Sequence, residues 1–293
     1  MTWSQPLIIF LNLSIPGFFI PFENQKKEAM IENVVLIGAG NLATQLALAL
    51  QENGIQVKQV YSRTAESAKE LAGKLNCAYT NDLSKLFPEA DLYVIAVKDS
   101  AIQKILENLS LDENRIIVHT AGSVPMQILD GFTKNFGVFY PLQTFSKSRK
   151  VDFSVIPICI EANHPSNLMK LQKLAGRLTD SVHQINSNER KTLHLAAVFT
   201  NNFVNHFYTL GAEILLDKKL NFDLLKPLIS ETAAKIENMD PVESQTGPAK
   251  RNDQTIISSH LKMLHDKPEY QKIYSFVTES IFQLQQKHNH DLL

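Results

Sequence analysis

The feature that most constrains the fold is a short apolar strand that runs directly into a glycine-rich loop and then into a helix. Residues 34–37 form a compact apolar run, and Gly38-Ala39-Gly40 follows without a break. Leucines spaced four apart in 41–53 predict a helix, and Gly54 supplies the flexible residue that commonly ends one. This strand, loop and helix are the start of a βαβ unit.

The same alternation continues along the first half of the chain. Alternating strands and helices favour a mostly parallel sheet with helices on both faces, a doubly wound α/β architecture. Further strands are predicted at 57–61, 91–97, 115–120, 137–140, 156–161 and 180–185, and helices at 66–75 and 102–109.

From residue 188 onward the pattern becomes entirely helical. Ser187 is the predicted N-cap of the first helix, with an incomplete capping box because Arg190 stands at the third position. We therefore expect a Rossmann-like α/β domain at 30–186 and an all-helical domain at 187–293. The predicted helices are 188–216, 224–238, 249–265 and 269–287.

Composition excludes several classes of function. The 293 residues carry 29 basic and 30 acidic side chains, so no general field attracts nucleic acid or anionic lipid. Two cysteines provide neither a disulfide framework nor a cysteine-rich metal site, and no histidine spacing indicates a metal centre. We expect a cytoplasmic protein without a bound metal.

The first 29 residues stand apart from this pattern. Their apolar stretch at 7–22 is shorter than the ~20 residues needed to span a bilayer and is interrupted by Pro16 and Pro21. A secretory signal would require a basic residue near its start, but no basic residue precedes Lys26. We expect Met30 to be the working start and 1–29 to be a poorly ordered N-terminal extension, with a weak peripheral anchor as the alternative.

The loop at 38–43 fits the pattern G-x-G-x-x-A in the context of a dinucleotide site. Gly38 permits the tight turn, Gly40 lets the backbone approach a pyrophosphate, and a small Ala43 allows close packing of helix and strand. The N–H groups of Asn41 and Leu42 open the helix, where phosphate binds favourably. The sequence therefore predicts a dinucleotide cofactor.

The residues after two strands indicate which dinucleotide is bound. Ser62, Arg63 and Thr64 stand where NAD-selective sites place an acid, and a guanidinium between two hydroxyls suits the 2′-phosphate of NADP(H). Val97 and Lys98 end a later strand, beside the expected nicotinamide ribose. The alternatives are that Arg63 and Lys98 are ordinary solvated loop residues.

Polar residues at the end of another buried strand are candidates for the substrate side. His119 could donate a proton, and the backbone N–H groups of Gly122 and Ser123 could hold a carboxylate. A hydrogen-bonded structural histidine is the alternative for His119. The polar loop at 140–144 is a candidate wall of the same cleft.

The first helix of the second domain carries polar residues along an apolar face. His194, Asn201 and Asn205 are separated by seven and four residues, which places them on one face of a regular α-helix. We expect His194 to donate a proton or polarise a carbonyl, with Asn201 positioning the substrate and Asn205 contacting it. A network of hydrogen bonds between helices is the alternative.

A basic cluster precedes the third helix of that domain. Pro248 is predicted in the first turn of the helix, which brings Lys250 and Arg251 near its positive end, where an anionic substrate binds well. Structural salt bridges with Asp253 and Asp266 are the alternative.

In six of its motifs, the chain resembles a known bacterial group. It is similar to two-domain Rossmann-like proteins that are labelled NADP oxidoreductases and carry a helical C-terminal domain of unknown function. The matching motifs are GAGNLA at 38–43, YSR at 61–63, HTAGS at 119–123, YPLQTF at 140–145, HLAAVFTNN at 194–202 and GPAKRND at 247–253. The last of them has Asn252 where the group commonly has glycine, which leaves the shape of that loop open.

The resemblance extends more distantly to the 6-phosphogluconate dehydrogenase-like superfamily. It implies hydride transfer from NADPH to a carbonyl or imine of a small carboxylated substrate, with 2-ketopantoate as the best single guess. It also implies a homodimer through the helical domain. The lysine and asparagine pair common in that superfamily is missing from the expected helix, which favours a non-catalytic NADP sensor as an alternative. A deazaflavin-dependent NADP reductase is a further alternative.

Overall fold

The structure is a computed structural model that describes residues 30–291. The chain divides into two compact units, the first ending at His194 and the second beginning at Leu195. The expectations for 1–29 lie outside the described residues.

The first unit is built on one eight-stranded sheet. Its strand order is β3-β2-β1-β4-β5-β6-β7-β8, and every neighbouring pair is parallel except β6 with β7. This confirms the predicted mostly parallel, Rossmann-like sheet. The strands are β1 Asn33–Ile37, β2 Gln56–Tyr61, β3 Ala78–Thr80, β4 Leu92–Ile95, β5 Ile116–His119, β6 Asn135–Pro141, β7 Ile158–Ala162 and β8 Val182–Gln184.

Alternate residues of the central strand supply two hydrophobic cores, one on each face of the sheet. Val34 and Leu36 belong to one core, and Val35 and Ile37 to the other. Because both faces are covered, the strand is apolar at every position from 34 to 37. The helices that begin in this unit are α1 Asn41–Glu52, α2 Ala65–Leu75, α3 Ile102–Leu106, α4 Pro165–Gly176 and α5 Ser187–Ala197.

The strand order reverses at β1. This strand pairs with β2 on one side and with β4 on the other, so the loops after β1 and β4 diverge at their carboxyl ends. Open α/β sheets bind ligands in the crevice formed at such a point.

Two elements of this unit, β3 and α4, were not predicted from the sequence. Strand β3 has three residues, two of them exposed, so it shows no apolar periodicity. Helix α4 begins with a proline at its first turn and buries Leu171, Leu174 and Ala175. Proline followed by apolar residues at helical spacing was the signal that could have revealed α4.

The start of α5 corrects the predicted cap. Oδ1 of Asn186 accepts hydrogen bonds from the N–H groups of Asn188 and Glu189, and the Glu189 carboxylate accepts one from the N–H of Asn186. The capping box is therefore complete, with Asn186 as N-cap. The prediction of Ser187 as N-cap was wrong because its hydroxyl binds the Glu161 carboxylate instead.

The second unit is helical. A π-helical segment, Val198–Phe203, separates α5 from α6. The third predicted helix begins at residue 254 and not at 249, because the Asp253 carboxylate caps it by accepting from the N–H of Ile256. The helices are α6 Val204–Leu216, α7 Lys226–Lys235, α8 Pro241–Ser244, α9 Gln254–Met263 and α10 Pro268–Asp291.

The helices of residues 30–291 do not include one that combines the length and the apolar character required to span a bilayer.

The turn after β1 gives the first testable prediction. Gly38 has φ of +132°, and a Cβ there would lie 2.1 Å from the carbonyl oxygen of Ala96. We expect Gly38→Ala to lower the free energy of unfolding by about 2–5 kcal/mol, since strain and a backbone clash combine. Chemical denaturation followed by circular dichroism measures this.

Gly73→Ala is the matched control. Gly73 is exposed within α2, and nothing lies within 4 Å of its Cβ position. This change should stabilise the protein by up to about 1 kcal/mol. Equal effects of the two substitutions would contradict the account of the turn.

Candidate functional site

The turn between β1 and α1 leaves backbone donors exposed at the carboxyl edge of the sheet. The N–H of Gly38 donates to the carbonyl of Tyr61 over 2.8 Å, which ties the turn to β2. Gly40 is the N-cap of α1 with no side-chain cap, and no other atom of the described residues lies within 4 Å of its Cβ position. The N–H groups of Asn41 and Leu42 have no partner within the helix. This open cradle fits a pyrophosphate.

The segment after β2 lies beside that turn. The N–H of Ser62 donates to the carbonyl of Thr80, and the Thr64 hydroxyl donates to Ser67 at the start of α2. Arg63 is exposed, and among residues 30–291 its side chain has no ion pair or hydrogen bond. An uncommitted guanidinium at this position fits a ligand phosphate.

The loop after β4 closes the other side of the turn. Cγ1 of Val97 lies 3.3 Å from the Cβ position of Gly38. Lys98 is exposed, and its backbone carbonyl accepts a hydrogen bond from the N–H of Ala101. The structure thus places the turn at Gly38 against the end of β2, which Ser62, Arg63 and Thr64 follow, and against Val97.

A second group of side chains lies where β5 and β6 end. The Tyr140 hydroxyl and Nδ1 of His194 are 3.2 Å apart, and the rings meet edge to face. A Cβ on Gly122 would lie 2.6 Å from Nδ1 of His194 and 2.9 Å from Cζ of Tyr140. Glycine is therefore required at 122 for these two rings to meet.

His119 is buried and neutral. Its Nδ1 accepts a hydrogen bond from the N–H of Ala121 over 3.1 Å, and its Nε2 has no partner at hydrogen-bonding geometry in the described chain. Burial, and then the charge of Arg190, lower the pKa of His119 to about 4. These properties favour the structural alternative for this histidine over the proton donor.

Arg190 is the largest fully buried side chain of the described residues. Its Nη1 donates to the Glu161 carboxylate over 2.5 Å, and its Nε and Nη2 donate to the carbonyls of Ala121 and Val124. The Ser187 hydroxyl also binds Glu161 and accepts from the N–H of Met126. A buried guanidinium needs such partners, and here they fix the loop after β5 against α5.

Ser123 has a charged neighbour. Its hydroxyl donates to the carboxylate of Asp99. Because that negative charge lies beside the loop, the attraction of Gly122 and Ser123 for a substrate carboxylate is weaker than the sequence alone indicates.

The remaining predicted residues belong to the second unit. Asn201 lies within the π-helical segment and Asn205 within α6, both exposed. The prediction that one face carries them with His194 assumed a regular α-helix, and that assumption was wrong because the π segment changes the number of residues per turn.

The basic cluster forms a loop ahead of α9. Nζ of Lys250 lies 3.4 Å from the carbonyl of Glu243, and Arg251 is exposed. Asn252 has φ of +53°, a conformation that asparagine tolerates better than most residues, so it can hold a loop shape that glycine would otherwise provide. The predicted location of Lys250 and Arg251 inside the helix was wrong, and within residues 30–291 no salt bridge joins them to Asp253 or Asp266.

The sequence indicated the loop at 140–144 as a wall of the cleft, but it did not predict the contact of Tyr140 with His194 or the pairing of Arg190 with Glu161. Tyr140, Glu161 and Arg190 are far apart in the chain, and only the topology brings them to the same edge of the sheet. A charged residue directly after an apolar strand run, as Glu161 is, was the available signal. In the described part of the chain, no group of three or more His, Cys, Asp or Glu is arranged to hold a metal ion.

Two family models match this chain, and the second match begins within the first unit, at residue 156. Residues 33–122 match a family described as NADP oxidoreductase, coenzyme F420-dependent. Residues 156–281 match a domain of unknown function, DUF2520. A comparison with curated proteins finds no significant match.

One solved structure decides the family. A protein from Bacteroides fragilis, described as a "putative NADP oxidoreductase", is 48% identical, with 86% of this chain and 98% of that chain covered and a TM-score of 0.82. The chain belongs to this family. Its members are two-domain, Rossmann-like, NADP-dependent oxidoreductases with a DUF2520 domain.

More distant structures share the fold. A 1-pyrroline-5-carboxylate reductase from Streptococcus pyogenes is 14% identical, covers 86% of this chain and 98% of its own, and has a TM-score of 0.58. An imine reductase from Myxococcus stipitatus in complex with NADP+ is 13% identical, covers 88% and 94%, and has a TM-score of 0.60.

The buried His119 of this NADP oxidoreductase predicts a pH dependence of stability. The pKa of His119 falls from 6.5 to about 4 on folding, so between these values the unfolded chain binds a proton that the folded protein does not. The contribution of neutral His119 to the free energy of unfolding is fully present above pH 6.5. It is lost as the pH falls towards 4, which lowers the free energy of unfolding by up to about 3 kcal/mol.

Chemical denaturation at pH 7.5 and pH 4.5 measures this effect. His119→Asn keeps a group that can accept from Ala121 but does not titrate, so its stability should fall less than that of the wild type over this range. His164→Asn, at an exposed position, is the control and should follow the wild type. Parallel losses in all three proteins would contradict a neutral buried His119.

Proposed function

We propose that this NADP oxidoreductase transfers a hydride from NADPH to the carbonyl or imine carbon of a small carboxylated substrate. The observation that carries the proposal is the Tyr140–His194 pair, at the same edge of the sheet as the Gly38–Gly40 turn. Bound NADPH supplies the hydride, and the chain supplies orientation and a proton.

The loops around β1 contain the residues that we propose to bind the cofactor. The N–H groups that open α1 hold the pyrophosphate, with Gly38 and Gly40 permitting its approach. Ser62, Arg63 and Thr64 hold the 2′-phosphate, and Val97 and Lys98 border the nicotinamide ribose.

The substrate residue that we propose from the first unit is His194, which gives a proton to the substrate, and we assign His119 a structural role because it is buried and neutral. The substrate roles that the sequence predicts for Asn201, Asn205, Lys250 and Arg251 stay predictions. Those basic side chains favour a small anion.

The substrate class rests on the names of relatives. A pyrroline-5-carboxylate reductase and an imine reductase are among the proteins that share the fold. The first test panel therefore contains 2-ketopantoate, other small keto acids and cyclic imines. The family description of residues 33–122 also favours a second candidate, hydride exchange between NADP and a deazaflavin.

The deciding experiment is NADPH oxidation by the full chain with each compound of the panel and with a deazaflavin. We expect turnover with a small keto acid or imine, and a fall in kcat of about 100-fold or more in His194→Gln, since it removes the proton donor. His164→Gln changes an exposed histidine that follows β7, the strand antiparallel to β6, and should leave kcat unchanged.

The outcomes separate the candidates. Turnover with the deazaflavin alone supports the second candidate. Tight NADPH binding without any turnover supports a non-catalytic sensor. Equal kcat in wild type and His194→Gln removes His194 from the chemistry.

Arg63 gives a prediction about cofactor choice. Arg63→Ala should raise the Kd for NADPH about 10- to 100-fold, because a charge-assisted hydrogen bond contributes ~1.5–3 kcal/mol, and should leave the Kd for NADH unchanged. Fluorescence titration measures both. Lys69→Ala, an exposed cation on α2, is the control. A parallel loss for NADH would show that Arg63 does not recognise the 2′-phosphate.

We also propose a homodimer through the helical unit. Among residues 30–291, twenty large apolar side chains are exposed, and fifteen of them lie at or beyond Leu195, including Phe276, which is 77% exposed on α10. Clusters of exposed apolar side chains mark interaction surfaces. A second copy of this unit would cover them. We place the protein in the cytoplasm, where its free cysteines Cys77 and Cys159 would stay reduced.

Light scattering after size exclusion tests the dimer. We expect about twice the chain mass of 33.0 kDa. Phe276→Asp should raise the dissociation constant of the dimer at least about tenfold, because it places a charge in an apolar interface. Val155→Asp changes a residue of the first unit that is 72% exposed and should not alter the mass. A monomeric wild type would contradict the proposal.

A further inference from the structure

We propose that Tyr140 is the positioning residue for His194: its hydroxyl holds Nδ1 of the imidazole, so that Nε2 remains free to give a proton to the substrate. The part that concerns the proton rests on the proposed function. The part that concerns the ring rests on geometry alone.

The contact between the two side chains leaves one ring nitrogen available. Nδ1 of His194 lies 3.2 Å from the Tyr140 hydroxyl, whereas Nε2 makes no hydrogen bond with any residue in 30–291. His194 is half-buried and Tyr140 is buried. A ring held on its buried side and open on the other suits proton delivery to a ligand.

Gly122 is the second support of the ring. The Cβ of any other residue would come within 3 Å of both His194 and Tyr140, so the loop after β5 forms a floor for this contact. Arg190 fixes that loop through the carbonyls of Ala121 and Val124. Arg190 also lies one helical turn before His194 on α5, so the Arg190 side chain positions both the loop after β5 and the helical turn that carries the His194 ring.

A hydroxyl is well suited to this role because it can both donate and accept. When His194 is neutral with its proton on Nε2, the Tyr140 O–H donates to Nδ1. When Nδ1 carries a proton, as in the imidazolium and in the neutral form left after Nε2 has given up its proton, Nδ1–H donates to the Tyr140 oxygen. The ring therefore keeps its orientation before and after a proton leaves Nε2.

The surroundings keep Tyr140 in its protonated form. Burial raises the pKa of the Tyr140 hydroxyl, and nearby Cys159 and Asp99 raise it further, while Arg190 lowers it. The neutral O–H is therefore the form available at physiological pH.

The proton balance is simple. After hydride transfer the electron pair of the former C=O bond resides on the substrate oxygen, or on nitrogen for an imine. The proton on Nε2 of the His194 imidazolium moves to that atom and forms an O–H or N–H bond. The neutral imidazole that remains has its proton on Nδ1, and solvent reprotonates Nε2.

The first test uses protein with 15N-labelled histidine. The His194 signals are assigned by their loss in His194→Gln. In Tyr140→Phe we expect the Nδ1 signal to move towards that of a nitrogen without a hydrogen bond. If its position is the same as in wild type, the proposal is overturned.

The second test is kinetic and uses two variants. Tyr140→Phe and Gly122→Ala should each lower kcat by up to about 100-fold with KM little changed, since both displace the ring without removing it. Gly122→Ala does so with Tyr140 intact, which covers the case in which Tyr140→Phe folds poorly.

Tyr93→Phe is the matched control. The Tyr93 hydroxyl donates to the carbonyl of Phe87 in the interior of the same unit, so the variant loses a buried hydrogen bond away from His194. It should leave kcat and the His194 signals unchanged. An equal fall in kcat would show that Tyr140 acts only through stability and would overturn the proposal.

The two tests separate this inference from the proposed function. If wild type turns over no compound of the panel, the proposed function fails, and the Nδ1 signal still decides whether Tyr140 holds His194.

Discussion

The buried ion pair between Arg190 and Glu161 is the interaction on which the site depends. The guanidinium is fully buried, so it is stable only with the Glu161 carboxylate and the loop carbonyls that it binds. Losing one partner of such a pair costs about 3–5 kcal/mol. The pair joins the end of β7, the loop after β5 and the first turns of α5. His194 follows one turn later and meets Gly122 and Tyr140, so the charge pair sets where the imidazole lies.

Local patterns predicted most of the first unit. The loop at 38–43 and its flanking strand and helix were readable because apolar spacing, glycine conformation and helix start all act within a few residues. The cap of α5 was misassigned because Ser187 and Asn186 are both good caps, and the choice depends on Glu161, which is distant in the chain. The Tyr140–His194 contact joins residues 54 positions apart, and no periodicity encodes it.

The second unit shows where sequence periodicity stops being informative. A helix is predicted correctly from 188 onward, but nothing in the pattern signals the π segment Val198–Phe203, which alters the faces of every residue after it. The cluster at 247–253 looked like a helix start because of its proline. The Asp253 carboxylate caps the first turn of α9, so the helix begins after Asp253 and not at the proline. Asn252 adopts the positive φ that ends the loop. Side-chain capping outweighed the proline signal.

The central claim is that one edge of the sheet carries both the dinucleotide cradle and the His194 proton donor. A crystal structure of the full chain with NADPH tests it most directly. The account predicts the pyrophosphate on the N–H groups of 40–42, the 2′-phosphate within hydrogen-bonding distance of Arg63, and the nicotinamide on the side of the sheet edge where Nε2 of His194 is free. A dinucleotide bound elsewhere, or a nicotinamide remote from His194, would contradict it.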